Sequence, residues 1–320
     1  MSDPTYRPLR AGEHHRYESY GPPPASGVGV RSRSFAQCVG EGEYPPGWVW
    51  IAERDGAVVA RAAFWAPPGH EHPHTLDFFD PPAHGDDRVE VGAALLRAAY
   101  AALVPPDYRG ALGNDRPDYH LLLPTDWRER PDALADAELR LAAAEAAGLE
   151  FFVERLSLRW TPERGLPPRP GRLRMTPVAP ADDATAVDLL ARLCAASLDA
   201  YALRDVRRYG LRDAAVRTLA DTEEYGDRRW WRIGRLPDGE PVGIVLPVRV
   251  THFATHAYVG VVPEHRGHRY SEDLVIEGLH LFTEAGETLV QDATDVANTP
   301  MAAAFDRIGY ELTGRRIVML

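Results

Sequence analysis

Hydrophobic and polar positions along the chain switch repeatedly between the period of two of a strand and the 3.6 of a helix, which predicts alternating strands and helices. Apolar runs flank an Asp-Gly pair twice. They are Trp48–Arg54 and Ala57–Trp65 about Asp55-Gly56, then Trp230–Arg235 and Pro241–Val250 about Asp238-Gly239. Asp-Gly tolerates the positive φ of tight hairpin turns, so both pairs predict hairpins. Each half opens on a short strand-like run, Tyr6–Leu9 or Leu173–Val178, followed by a helical region. After the hairpin come a strand (Thr75–Asp80 or His252–Val262), a helix (Val89–Leu103 or Ser271–Ala285) and a strand (Tyr119–Pro124 or Thr288–Ala293). The closing segments, Ala142–Trp160 and Ala302–Leu320, match with Gly148 on Gly309, each a helix stopped by a C′ glycine and then a strand. The coarse order read for each half is β-α-ββββ-α-β-α-β, one strand more than these runs name, and it predicts two α+β domains related by duplication.

Between the halves, Thr161–Arg172 (TPERGLPPRPGR) holds prolines and glycines too dense for helix or sheet. It predicts an extended, semi-rigid linker, 161–172, between domains 1–160 and 173–320.

Composition narrows the function classes. With 45% hydrophobic and 26% charged residues, the chain of 320 is an ordinary globular one, not a disordered one. No run approaches the roughly 20 apolar residues of a membrane span, and Met1–Arg10 has no apolar signal core. The expectation is a cytoplasmic protein with no membrane partner. Cys38 and Cys194 stand outside any CxxC spacing, which argues against a disulfide scaffold or cysteine zinc module. The net charge of −11 argues against nucleic acid as a partner. Every base is arginine, so no lysine chemistry is available, and with the abundant alanine and proline this points to a GC-rich genome.

The stretch richest in chemistry is Ala257–Leu279, AYVGVVPEHRGHRYSEDLVIEGL. A buried strand ends at Val262-Pro263, a turn carries Arg266 and Gly267, and a helix follows with Ser271 as its expected N-cap. Such a strand–turn–helix aims backbone N–H groups and the positive helix end at one point, an anion site fit for a pyrophosphate. Arg266, His268 and Arg269 add charge-assisted donors.

This stretch resembles the acyl-CoA motif of the GNAT superfamily of N-acetyltransferases, Arg/Gln-x-x-Gly-x-Gly/Ala after a strand ending in V-x-P. Here it stands as Arg266-Gly267-His268-Arg269-Tyr270-Ser271, with Arg269 and Ser271 at the second and third motif positions. A second block, Asn298-Thr299-Pro300-Met301 through Phe305 to Gly309-Tyr310, resembles the family's N-x-x-M/A…LYEKLGF segment. The resemblance implies tandem GNAT-like domains, each a mixed, mostly antiparallel sheet flanked by helices. It implies acetyl-CoA as acyl donor in the second domain, a small-molecule amine as acceptor attacking the thioester directly, no metal, and a monomer or homodimer. Implied cofactor contacts are Val261 or Val262, as a backbone donor to the developing oxyanion, then Arg266–Ser271, Asn298 and Phe305. Many relatives carry a thiolate-protonating Tyr where this chain has Phe305, and Phe has no proton to give. Tyr310 falls on a position that packs in the core.

The amine must lose a proton before it attacks. Candidate bases are His252 and His256, four apart and so on one face of the predicted strand, and Asp292 at the end of the neighbouring strand. Glu223, Glu224 and Asp295 are further candidates.

The equivalent loop of the first half, Phe79–Leu96, carries Asp86, Asp87 and Glu90 and no Arg-x-x-Gly pattern. Carboxylates repel a pyrophosphate, so the first domain is expected to have lost cofactor binding and to wall the acceptor site. His70-Glu71-His72-Pro73-His74 invites a metal, but Pro73 breaks the strand, and a polar loop is the simpler reading. The pairs Trp48/Trp50 and Trp230/Trp231 read as sheet packing. Two further classes stand beside the enzyme: a non-catalytic GNAT-fold protein that binds acyl-CoA or another ligand, and a partner-docking scaffold.

Overall fold

The computed structural model describes residues 2–67, 69–108 and 113–320. In chain order the first half gives β1 (Thr5–Pro8), α1 (His14–Glu18), α2 (Phe35–Gly40), β2 (Val49–Arg54), β3 (Ala57–Trp65) and β4 (Thr75–Asp80). Then come α3 (Arg88–Leu103), β5 (Asp118–Leu123), α4 (Pro131–Ala146) and β6 (Phe151–Trp160). The second half gives β7 (Arg174–Pro177), α5 (Asp183–Ala195), α6 (Ala200–Tyr209), α7 (Leu211–Tyr225), β8 (Arg232–Arg235) and β9 (Pro241–Arg249). It ends with β10 (Ala254–Val261), α8 (Tyr270–Glu284), β11 (Val290–Asp295), α9 (Thr299–Ile308) and β12 (Glu311–Met319). Three strands, not four, follow the first helices of each half. Thr251–Phe253 turns the chain only once between β9 and β10.

The chain forms two compact units, Met1–Glu154 with Gly314–Leu320, and Arg155–Thr313. This division departs from the predicted boundary at the proline-rich segment. The physical reason is strand pairing: β12 runs antiparallel to β5 (Ile317↔Leu121), and the second half of β6 runs antiparallel to β11 (Asp292↔Leu158). Among the described residues β4–β5 in the first unit and β10–β11 in the second pair in parallel, within otherwise antiparallel neighbours such as β3–β4 and β9–β10.

Local chemistry explains the turns. Asp55 and Gly56 both have positive φ, 51° and 81°, the requirement of the tightest hairpin turn. Ser34 accepts from the Gln37 N–H while the Gln37 side chain accepts from the Ser34 N–H, a capping box that starts α2.

In the first unit, α3 and α4 cover one core built on Phe64, Leu76, Leu95, Leu121 and Met319. A second core gathers Tyr17, Phe35, Tyr44 and Ile51. In the second unit one core holds Leu190, Leu219, Trp231 and Val245, and another holds Trp160, Leu279, Phe282 and Phe305.

The proline-rich segment opens with a 3-10 turn, Pro162–Arg164, runs on without helix or strand, and is no free spacer. Arg169 pairs with Glu277 (2.7 Å) and Glu284 (2.9 Å), Arg172 Nε donates to Asp273 (2.8 Å), and the Pro167 carbonyl lies 2.9 Å from His280 Nε2. These contacts strap the segment along α8 and leave a cavity of about 310 Å³ between them, bordered by Leu173, Met175, Asp273 and Glu277. Among the described residues no helix is long and apolar enough to cross a membrane.

Candidate functional site

In the second unit the parallel strands β10 and β11 pair only at Ala254↔Val290 and then part. The register of β10 on β9 slips between His256 and Tyr258, so Ala257 is an extra residue, a β-bulge that bends the strand. Beyond the bulge, the Val262 N–H donates to the Val242 carbonyl on β9. Antiparallel alternation therefore turns the N–H groups of Val259 and Val261 the other way, toward the split. Of the two backbone donors that the resemblance implies, the Val261 N–H is the one turned toward the split. Val262 is not, because its N–H is spent on the ladder.

The split opens beside the turn that leads into α8. Arg266, Gly267, His268 and Arg269 are all exposed. The N-cap of α8 is Arg269, not Ser271, which lies inside the helix, and no side chain caps the first turn. The uncapped N–H groups and the helix dipole favour an anion there. Arg269 sits at φ 62°, the left-handed region that glycine adopts without strain. The first-turn acids do not cancel this field. Glu272 is paired with Arg307 (2.7 Å) and Asp273 with Arg172. Tyr270 stacks on His268, with ring centroids 5.4 Å apart. Arg266 lies folded back, with Nε on the Val261 carbonyl (3.2 Å) and Nη1 on the Ala196 carbonyl (3.0 Å).

The predicted bases do not line this split. His252 is exposed in the turn before β10, so it shares no strand face with His256. The His256 side chain is 0% exposed. Its Nδ1 lies 2.9 Å from Asp292 Oδ2, and its Nε2 is buried without a partner. Nε2 faces Gly278 of α8 so closely that a Cβ there would come within 2.0 Å of it. Asp292 is in the middle of β11, also buried, and accepts four hydrogen bonds. Oδ1 takes the His256 backbone N–H (2.7 Å) and the Thr255 hydroxyl (3.0 Å), while Oδ2 takes His256 Nδ1 and the Tyr310 hydroxyl (2.7 Å). Burial pushes the Asp292 carboxyl up, but the attraction of His256 and the hydrogen bonds outweigh it and hold the group below its usual range. These groups make a closed buried hub, so the expectation that His256 or Asp292 takes a proton from a substrate is corrected. Sequence periodicity could not reveal this, because the ring fits only where the facing helix carries a glycine.

The second block also differs from its implied role. Asn298 caps α9, its side chain accepting from the Met301 N–H at 3.4 Å. Phe305 is 2% exposed and packs edge-on against Tyr310, with centroids 4.8 Å apart, so it is a core residue and not a wall of the split. Tyr310 is buried, in keeping with its core position.

Sequence reading missed the groups at the open end of the split. Residues 196–200 tie the end of β10 to the end of β11. Ala196 accepts from Arg266, and the Ala200 N–H donates to Asp295 Oδ2 (2.6 Å). Arg155 on β6 lies 3.1 Å from Asp295 and 3.3 Å from Asp199. Its guanidinium also lies over the Tyr201 ring, 5.4 Å from the centroid. The only sequence signal was an acid, Asp295, at a strand end.

In the first unit β4 and β5 pair only at Thr75↔Asp118 and Leu76↔Tyr119 and likewise part. This split is filled by the chain itself. Arg31 Nε donates to the Asp77 carbonyl (3.1 Å), the Gly29 N–H to the Leu122 carbonyl (2.8 Å), and Arg140 Nε to the Phe79 carbonyl (3.0 Å). Arg140 is 3% exposed and is held by Asp80 (2.6 Å) and Asp136. At the helix start Asp87 is the N-cap of α3 and pairs with Arg54.

No family model matches the chain, and no curated protein matches it. The structure is similar over 99% of its length to a GCN5-related N-acetyltransferase from Sphaerobacter thermophilus, of which it covers 94%, at 14% identity and a TM-score of 0.57. A tandem GNAT protein from the clavulanic acid biosynthesis pathway matches over 99% of this chain and 98% of its own, at 18% identity and a TM-score of 0.49. A GCN5-related N-acetyltransferase from Kribbella flavida matches over 82% and 86%, at 14% identity and 0.45. The whole-length likeness to the first of these, with a split parallel pair in each unit, shows that the chain has the fold of the GCN5-related N-acetyltransferases.

Proposed function

We propose that the second unit binds acetyl-CoA in the β10–β11 split and transfers its acetyl group to the amine of a small molecule. The observation that carries this reading is the conjunction of unpaired strand N–H groups with an uncapped, basic helix start. The N–H groups of Val259 and Val261 open onto the split beside the first turn of α8 with Arg266, His268 and Arg269. These features fit the two ends of the donor. Arg266, His268, Arg269 and the N–H groups of Tyr270 and Ser271 would hold the pyrophosphate. The Val261 N–H would meet the thioester oxygen as charge develops on it. The bound donor supplies the activated acyl group, and the amine displaces the thiolate.

Neither His256 nor Asp292 is open to that amine, so neither takes its proton in this reading. The first unit holds no second site in this reading, because its split is filled by Gly29, Arg31 and Arg140. Release of free thiol from acetyl-CoA with a library of small amines tests the reaction.

A second reading is a non-catalytic acyl-CoA-binding protein. The burial of His256 and Asp292 favours it, because neither is open to take a substrate's proton, and Phe305 has none to give. Tight binding of acetyl-CoA with no thiol release from any amine would select that reading.

A further inference from the structure

The four hydrogen bonds on Asp292 sit at the point where β10 and β11 separate. On the β10 edge the Ala254 N–H still donates to a main-chain carbonyl, that of Leu289, at 3.0 Å. The next N–H on that edge belongs to His256. It goes not to a main-chain carbonyl of β11 but to the side chain of Asp292, at 2.7 Å. Laddered strands lie about 4.8 Å apart. That spacing leaves no room for a carboxylate between one backbone and the N–H of the next, so the strands must part here. The carboxylate cannot swing away. Its second oxygen is fixed by His256 Nδ1 and the Tyr310 hydroxyl, and the imidazole is closed in by Gly278 and the Phe282 ring, 5.1 Å away. The bulge at Ala257 follows at once and directs the next free N–H groups into the gap.

We propose that Asp292 is a positioning residue, a wedge that replaces the next ladder bond and so keeps the slot between β10 and β11 open. The slot's use for acetyl-CoA rests on the function proposed above. The wedge itself rests on the strand geometry. Asparagine retains the wedge, because its Oδ1 still accepts the His256 N–H. Alanine removes it and lets the strands pair further.

The test compares the parent chain with Asp292→Asn, Asp292→Ala and Tyr310→Phe. Amide exchange is read without ligand, and acetyl-CoA affinity is read by calorimetry. In the parent the His256 amide is protected and the Val259 and Val261 amides exchange fast. In Asp292→Ala the Val259 and Val261 amides slow by tenfold or more, and acetyl-CoA affinity falls by tenfold or more. Asp292→Asn and Tyr310→Phe stay within about threefold of the parent in both readouts. Should Asp292→Ala not fold, Asp292→Ser, one bond too short to reach the His256 N–H, carries the same expectation. Unchanged Val259 and Val261 exchange in the variant without the wedge overturns the proposal. So does an equal loss of affinity in Asp292→Asn and Asp292→Ala. If the parent does not bind acetyl-CoA, the functional reading falls, and the exchange comparison alone decides the wedge.

Discussion

Gly278→Ala sets two effects of opposite sign against each other. Gly278 lies well inside α8, where alanine is favoured over glycine by about 1 kcal/mol through helix propensity alone. The structure opposes this. The new Cβ would lie 2.0 Å from His256 Nε2 and 2.6 Å from Cδ2. The ring has no free direction to move in, because Nδ1 is held by Asp292 at 2.9 Å and the side chain is fully buried. Overpacking of this kind costs about 1–3 kcal/mol. Displacing the ring would further lose a hydrogen bond to a charged group, about 1.5–3 kcal/mol. The net expectation is destabilisation by about 2–4 kcal/mol, read as a lower urea midpoint. In a His256→Ala background the same substitution meets empty space, so it should be neutral or stabilising by up to about 1 kcal/mol. The cycle should then show a coupling of at least about 2 kcal/mol. Gly278→Ala that stabilises the otherwise unaltered protein would refute the packing described for His256.

Arg269→Gly should raise thermal stability by up to about 1 kcal/mol, because it relieves a left-handed conformation on a non-glycine residue, whereas Arg269→Ala should give no gain. Equal melting temperatures for the two variants would contradict this. Asp292 has its carboxyl held low in the folded state, so its contribution to stability is fully present above the ordinary carboxyl pKa of about 3.9 and is lost as pH falls through the lower folded value. Urea midpoints recorded from pH 5 downward should fall more steeply for the parent than for Asp292→Asn. Arg140→Ala leaves Asp80 with Arg61 as its one buried cation (2.6 Å) and Asp136 with the Ser26 hydroxyl, and should cost about 1.5–3 kcal/mol in urea unfolding. A small effect would mean that the first unit's split is not held by this group.

Much of the frame was legible because its signals are local. The two Asp-Gly turns, the glycines that stop α4 and α9 and the basic turn before α8 each follow from a few neighbouring residues. Partners distant in sequence were not legible. Nothing in the pattern of Glu311–Met319 says that it lies against β5, because an alternating strand satisfies either edge. His256 has the right parity for a strand face. Whether that face meets solvent or a helix depends on Gly278, far along the chain, and a glycine inside a helical pattern was the one available hint of a close approach. Arg140 reads as a surface residue of α4, yet its length carries the guanidinium to the Phe79 carbonyl in the first unit's split. Arg155 similarly gives no local sign of its contacts with Asp199 and Asp295, which became visible only once β6 lay beside β11.

Calorimetric titration of acetyl-CoA into the whole chain tests the central claim most directly. The account predicts one site per chain, lost in step with the basic turn. Arg266→Ala should weaken binding about tenfold or more, the effect of one charge-assisted bond of about 1.5–3 kcal/mol. Arg229→Ala, an exposed arginine of the same unit whose side chain is 84% accessible, should leave affinity unchanged. Two sites per chain, no binding, or an Arg266→Ala variant that binds as tightly as Arg229→Ala would contradict the account.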